Sequence, residues 1–401
     1  MFGEIRRLPS SVKQYLVITG NYWAFTLTDG ALRMLVVLYF HQLGYDGLSI
    51  AMLFLFYEFF GVVTNLLGGY LGARLGLNKT MNLGLIMQVL ALALLAVPEQ
   101  YFGVAYVMFA QALSGIAKDL NKMSAKSAIK TLIPENADGK LFKWVAILTG
   151  SKNALKGVGF FLGGVLLTVV GFQAALLLMS ATLLVIWLLS LMLLKQDLGK
   201  KKAKPKFTEM FSKSSNINAL SAARMFLFAS RDVWFVIALP VYLASQFQWD
   251  HYWVGGFLAL WVIGYGMVQS LAPRFVKQRT HYERTALLWV LALVAIPALI
   301  ALGIYSQWYS QWVLVLGLLL FGVVFAANSS LHSFLIVRYA DSDGVSMDVG
   351  FYYMANAAGR LLGTLLSGWL FLLAGIEACL IASSVMLLVT AGLTTKLTPQ
   401  T

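Results

Sequence analysis

The sequence predicts an all-α membrane protein of twelve transmembrane helices, in two six-helix bundles related by pseudo-two-fold symmetry. Three observations predict it. Of 401 residues, 59% are hydrophobic and only 12% charged, and the mean hydropathy is +0.77. A soluble fold of this length cannot hide that much apolar surface, whereas a helix crossing a bilayer uses about 20 apolar residues. Lys and Arg gather in alternate connections between the apolar stretches, and short motifs recur at offsets of 203 to 205 residues.

The apolar stretches run near 15–40, 48–72, 80–97, 101–125, 144–169, 172–194, 217–244, 252–272, 286–305, 311–337, 346–373 and 377–395. Arg6, Arg7 and Lys13 flank the first stretch. It is too long for a signal-peptide core and lacks a small-residue cleavage site, so it is expected to be retained. Connections after odd stretches (41–47, 98–100, 171, 245–251, 305–310 and 374–376) contain no Lys or Arg. Of the 30 basic residues, 22 lie in the termini and the even connections and 8 within stretches. The positive-inside rule therefore puts both termini and every even connection in the cytoplasm. Trp249, Trp253, Trp308 and Trp312 fall at the opposite rim, where interfacial aromatics belong.

The long connection 195–215 carries Lys200, Lys201, Lys202, Lys204, Lys206 and Lys213. It reads as a lipid-facing cytoplasmic tether rather than a nucleic-acid site, joining an N-terminal bundle, 1–194, to a C-terminal one, 216–401. The halves are alike. Lys156, Gly159 and Gly164 recur as Arg360, Gly363 and Gly368, Asp29 as Asp232, Tyr39 as Tyr242, and Asp138-Gly139 as Asp343-Gly344. That is the pattern of a duplicated unit, as in secondary transporters.

Charges inside a bilayer are expensive and by default functional. The cations within stretches are Arg33, Lys118, Lys122, Lys152, Lys156, Arg224, Arg231 and Arg360, and the acids are Asp29, Glu58, Asp119 and Asp232. At about 1.5 Å of rise per residue, Asp29, Arg33, Glu58, Lys156, Arg231, Asp232 and Arg360 come near mid-depth. Lys118, Lys122, Lys152 and Arg224 lie closer to the cytoplasm. Stretches 3, 6 and 9 have no charge and stretch 12 only Glu377 at its start, so these four are expected outermost.

Spacing groups the cations on helix faces. Asp29 and Arg33, Lys118 and Lys122, and Lys152 and Lys156 are each four apart, and Arg224 and Arg231 seven apart. Lys126 and Lys130 continue one series out towards the cytoplasm. An oxyanion suits such a set, because Arg offers a two-pronged fork and Lys a point charge. Asn21, Asn153, Asn328 and Asn356 add neutral donors. Two plainer readings stay open. Lys118, Lys122 and Arg224 also suit snorkelling to headgroups. Arg33 also suits a simple pairing with Asp29, and Arg231 with Asp232 or Glu58. If protons are coupled, Asp29, Glu58 and Asp232 are the carriers, with Asp119 a further charge partner.

Other chemistry is poorly supported. Cys379 is the one cysteine, and His41, His251, His281 and His332 are scattered, so neither a metal site nor a disulfide is expected. Residues 150–156 superficially suggest a phosphate loop but lack its Gly-Lys-Ser/Thr ending and follow no strand. No catalytic set and no cofactor is expected. A membrane-embedded enzyme would need a nucleophile and base, or metal ligands, at one depth.

Gly69-Tyr70-Leu71-Gly72-Ala73-Arg74-Leu75-Gly76 resembles the loop motif of the major facilitator superfamily, with Ala73 where the motif has Asp. Gly69, Arg74 and Gly76 are then the gating-loop positions. Gly159-Phe160-Phe161-Leu162-Gly163-Gly164 resembles its antiporter motif, with Phe160 in place of Pro. Gly159, Gly163 and Gly164 are expected to let helices pack closely. Longer stretches, among them GNYWAFTLTDGALRMLVVLYFH from Gly20, QALSGIAKDLNKMSAKSAIK from Gln111 and SAARMFLFASRDVWFVIALPVYL from Ser221, resemble the ArsJ-type organoarsenical efflux permeases over nearly the whole chain. That resemblance implies export of 1-arseno-3-phosphoglycerate, a product of glyceraldehyde-3-phosphate dehydrogenase acting on arsenate. The partners expected are thus a small anionic substrate, membrane lipid and a functional link to that dehydrogenase, with no nucleic acid and a monomeric carrier. The alternative is export or antiport of another phosphorylated organic anion.

Overall fold

The computed structural model describes residues 9–44, 53, 55–134, 137–194, 198–200, 209, 213–249, 251–276, 281–307 and 309–398. The described residues are helical, with short connections. In order they form α1 (Ser10–Gln42), α2 (Leu55–Leu75), α3 (Leu77–Leu95), α4 (Val104–Leu132), α5 (Asp138–Val170), α6 (Phe172–Leu193), α7 (Ser215–Phe235), α8 (Ala238–Gln246), α9 (His251–Phe275), α10 (Tyr282–Tyr305), α11 (Ser310–Tyr339) and α12 (Val345–Thr394). Among the described residues, nine helical segments are long and apolar enough to cross a membrane. The described residues of each of the twelve apolar stretches fall mainly on helix.

Two connections are glycine turns of one or two residues that matter to the path. At about 1.5 Å per residue, the 50 residues of α12 would far exceed a bilayer's thickness if straight. Gly375 (φ 73°, ψ −168°) breaks it in two. Gly171 (φ 80°, ψ 171°) makes the same turn between α5 and α6. Both need the left-handed region that glycine enters without strain, and they stand 204 residues apart.

The stretch 217–244, expected as one helix, is interrupted between Phe235 and Ala238. Pro240 is the physical reason. It has no N–H to bond to residue 236, and a first helical turn, where α8 places it, has no such bond to lose. Ser367 Oγ accepts from the Ala238 amide at 3.1 Å, satisfying one N–H at the new helix start.

The chain divides into two compact units. The first comprises residues 1–141, 154–212 and 340–354, and the second 142–153, 213–339 and 355–401. In the first, α4 packs on α1, α2 and α3, and α6 on α1 and α3. In the second, α11 packs on α7, α9 and α10. Its core is aromatic: Trp234 meets Phe321 edge-on at 5.1 Å and Trp261 at 6.0 Å. The Trp261 indole N–H donates to Leu318 O at 2.9 Å, so the ring's polar atom is satisfied.

The helices of the uncharged stretches 3 and 6 are not alike in exposure. On α6, Leu177, Leu178, Val185, Leu188, Leu189 and Met192 are exposed, as a lipid-facing helix requires. On α3, Asn78, Thr80, Asn82 and Gln88 are buried. The reason is polar: Gln88 Oε1 accepts from Ser114 of α4 at 2.7 Å, and Thr80 and Asn82 bond back onto their own helix.

Candidate functional site

In the first unit, three helices bring an acid, a tyrosine and two cations together. Asp29 and Arg33 lie one turn apart on α1. The Tyr57 hydroxyl, from α2, donates to Asp29 Oδ1 at 2.7 Å. The Arg33 guanidinium lies 4.8 Å from the centre of the Tyr57 ring and Lys118 Nζ of α4 lies 3.7 Å from it. Tyr57 is 2% exposed. A cation over an aromatic face gains about 0.5–1 kcal/mol in water and about 2 kcal/mol when desolvated. Glycine permits the approach of α4, since a Cβ on Gly115 would stand 2.8 Å from the Tyr57 carbonyl oxygen.

Further along α4, Lys122 donates to Asp119 Oδ1 at 2.6 Å. The ammonium groups of Lys122 and Lys126 lie 4.9 and 4.7 Å from the centre of the Tyr353 ring, and Lys126 donates to its hydroxyl. Here the sequence expectation is corrected. Lys126 does not run out towards solvent but is 2% exposed, held by Tyr353.

On α5, Lys152 and Lys156 share a face but fall in different units, because the division passes between Asn153 and Ala154. Lys156 Nζ lies 5.7 Å from the Phe160 ring one turn on. Gly159 and Gly163 seat α5 on α1: a Cβ on Gly159 would stand 2.7 Å from Leu27 O, and one on Gly163 2.5 Å from Ala31 O. Gly164 is different, with only Leu38 Cδ1 at 3.9 Å. Asn21 donates to Ser190 Oγ at 2.8 Å and so ties α1 to α6. The side chain of Glu58 lies outside the described residues.

In the second unit, Asp232 is fully buried and collects two arginines. Its Oδ1 accepts from Arg231 Nε at 2.6 Å and its Oδ2 from Arg360 Nε of α12 at 3.2 Å. Glycines again set the crossing. A Cβ on Gly363 would stand 2.7 Å from Ala229 O, and one on Gly359 would clash with the Met225 carbonyl. Taking such ions out of water costs several kcal/mol apiece, on the order of what close pairing returns. Arg231 also lies 4.9 Å from the Phe228 ring, which Arg224 approaches at 4.0 Å.

Arg224 is held by neutral acceptors. Its Nε donates to Asn356 Oδ1 at 2.9 Å and its Nη1 to Ser329 Oγ at 3.0 Å. Tyr265 and Gln269 of α9 also reach Ser329 Oγ, at 3.0 and 3.2 Å, and Asn153 donates to Gln269 Oε1 at 2.8 Å. Arg224 is buried, so it does not snorkel. Asn328 donates to Ala286 O at 3.0 Å, a bond that joins α11 to α10.

Among the described residues, buried cations, a carboxylate shared by two arginines and glycine-seated helices are the features of these clusters. The family described as the Major Facilitator Superfamily matches residues 18–347. The chain belongs to the Major Facilitator Superfamily. It is accordingly an integral membrane protein and a secondary transporter, with the fold of that superfamily. Solved structures agree in fold. The human organic anion transporter MFSD10 (TETRAN) matches with a TM-score of 0.77 at 17% identity, covering 96% of this chain and 100% of that one. A bacterial homologue of the iron transporter ferroportin, in an outward-facing state, gives 0.76 at 15%, covering 97% and 99%. The E. coli fucose:proton symporter FucP gives 0.76 at 12%, covering 98% and 100%. Comparison with curated proteins finds no match.

The segment that resembles the superfamily's loop motif is tightly seated. A Cβ on Gly69 would stand 2.5 Å from Ser346 O, and Ser346 Oγ donates to Gly69 O at 2.8 Å. Arg74 is exposed and donates to the Tyr70 hydroxyl at 3.2 Å. Gly76 (φ 98°) turns the chain into α3. Sequence reasoning on charges passed over Tyr57, Tyr353, Phe228, Ser329 and Gln269, all neutral. Only Phe228 carried a legible signal, lying four residues after Arg224 and three before Arg231 on one helix face.

Proposed function

We propose that this superfamily member exports 1-arseno-3-phosphoglycerate from the bacterial cytoplasm across the inner membrane, and so confers resistance to arsenate. The single observation that carries the reading is the pair of arginines on Asp232, two cations and one carboxylate held within a membrane span. Arg33 and Lys118, with Asp29, supply a second cation-rich group in the first unit. A phosphate at one end of the cargo and an arsenate ester at the other give an anion for such groups to meet. The resemblance of the long stretches to the ArsJ-type permeases selects this cargo among phosphorylated anions.

In this reading Arg33, Lys118, Lys122, Lys152, Lys156, Arg224, Arg231 and Arg360 form the anion path, with Asn21, Asn153 and Asn356 as neutral neighbours. Asp29, Glu58, Asp119 and Asp232 balance charge or carry protons. The two halves, 1–194 and 216–401, alternate access about the fixed anion, with both termini cytoplasmic and the carrier monomeric. Like-charge repulsion among the cations is relieved by the cargo, which supplies the differential affinity that a ligand-driven change requires. Export of an anion from a cell negative inside is favoured by about 2.3 kcal/mol per charge per 100 mV, so proton exchange is not obligatory.

The test is radiolabelled arsenic retention in arsenate-loaded cells with and without glyceraldehyde-3-phosphate dehydrogenase. Export that requires both the dehydrogenase and the chain supports the reading. Equal retention with and without the chain refutes it.

A further inference from the structure

We infer that Tyr57 is a positioning residue whose ring holds the Arg33 guanidinium and the Lys118 ammonium side by side, so that one oxyanion group of the cargo meets both. The inference rests on the export of a phosphorylated anion proposed above. Arg33 and Lys118 come from different helices, α1 and α4, and repel each other. The Tyr57 ring, from a third helix, lies 4.8 Å from one and 3.7 Å from the other. The ring's π-electrons attract both without cancelling either charge.

The ring is fixed at both ends. Its hydroxyl donates to Asp29 Oδ1 at 2.7 Å, which sets the direction of the phenol. Its backbone lies against Gly115 of α4, where a Cβ would come within 2.8 Å of Tyr57 O and 3.1 Å of its Cα. Tyr57 therefore couples the separation of α2 and α4 to the place of the Lys118 ammonium. A guanidinium fork beside an ammonium point charge suits a tetrahedral oxyanion, whose oxygens can divide between them.

The experiment measures initial rates in everted vesicles, with the arsenate ester generated in place by the dehydrogenase from labelled arsenate, glyceraldehyde 3-phosphate and NAD. Tyr57→Leu, which removes the ring, is expected to raise KM about tenfold with a smaller change in kcat, the loss of two cation–π contacts felt in cargo binding. Tyr57→Phe, which keeps the ring and loses the hydroxyl, should recover KM to within about threefold of the unsubstituted protein. Equal KM in Tyr57→Leu and the unsubstituted protein overturns the inference while leaving the export reading intact. So does a tenfold rise in Tyr57→Phe, which would assign the effect to the hydroxyl and is readable even where Tyr57→Leu does not fold. Vesicles of the unsubstituted protein that take up no label overturn the export reading, and this inference with it.

Discussion

Asp232 and Arg360 are joined across 128 residues of chain, Oδ2 to Nε, on a carboxylate that Arg231 already holds by its other oxygen. The carboxylate can balance only one of its two arginines. Arg360 is the more accessible of the pair, with its side chain 35% exposed against 14% for Arg231. It is therefore the arginine better placed to exchange a protein contact for a cargo oxygen.

Removing the charge at Arg360 leaves Asp232 with Arg231, a balanced pair. Arg360→Gln should accordingly insert and fold at normal abundance while arsenate resistance is lost. Arg360→Lys should recover little, because an ammonium cannot reproduce the planar fork. Growth on arsenate, scored beside membrane abundance, checks both.

Removing the acid has the opposite signature. Asp232→Asn leaves two arginines facing a neutral amide inside a membrane span, and should destabilise the protein by about 3 kcal/mol, as for a broken buried pair. Thermal unfolding of the detergent-solubilised protein is the measurement. Full stability in Asp232→Asn would mean that the arginines find other acceptors.

Glycine substitutions should separate by their neighbours. Gly359→Ala drives a methyl into the Met225 carbonyl and Gly163→Ala one to 2.5 Å from Ala31 O, so each should cost about 1–3 kcal/mol. Gly164→Ala meets only Leu38 Cδ1 at 3.9 Å and should be neutral, or stabilising by up to about 1 kcal/mol from helix propensity. The same unfolding assay ranks the three.

Lys126 should be protected from a water-soluble amine reagent applied to the folded protein in detergent, whereas Lys140 and Lys143, both exposed, should react. Peptide mass spectrometry reads the difference. Rapid modification of Lys126 would show that its bond to Tyr353 does not persist.

The helices were legible because apolar runs of bilayer length admit few alternatives, and the basic connections marked every second end. The break in the stretch 217–244 was legible too, in Pro240, but an apolar run on both sides of it masked the interruption. Gly171 and Gly375 stood in the sequence as short connections, and their positive φ explains why each turn needs only a residue or two. The site was legible as an inventory of charges and faces. What spacing along one helix does not encode is sharing between helices: that Arg360 reaches the carboxylate of α7, or that Tyr57 stands beside cations of α1 and α4. Lys126 shows the limit most plainly. Its register continued a cationic face towards the helix end, and only the tertiary position of Tyr353 buries it.

The central claim is tested most directly by label uptake into everted membrane vesicles carrying the chain, supplied with labelled arsenate, glyceraldehyde 3-phosphate, NAD and the dehydrogenase. The account predicts uptake that stops when any one of these is omitted and is absent from Arg360→Gln vesicles of equal protein content. Uptake of labelled arsenate that continues without the dehydrogenase, or that Arg360→Gln leaves intact, would contradict it.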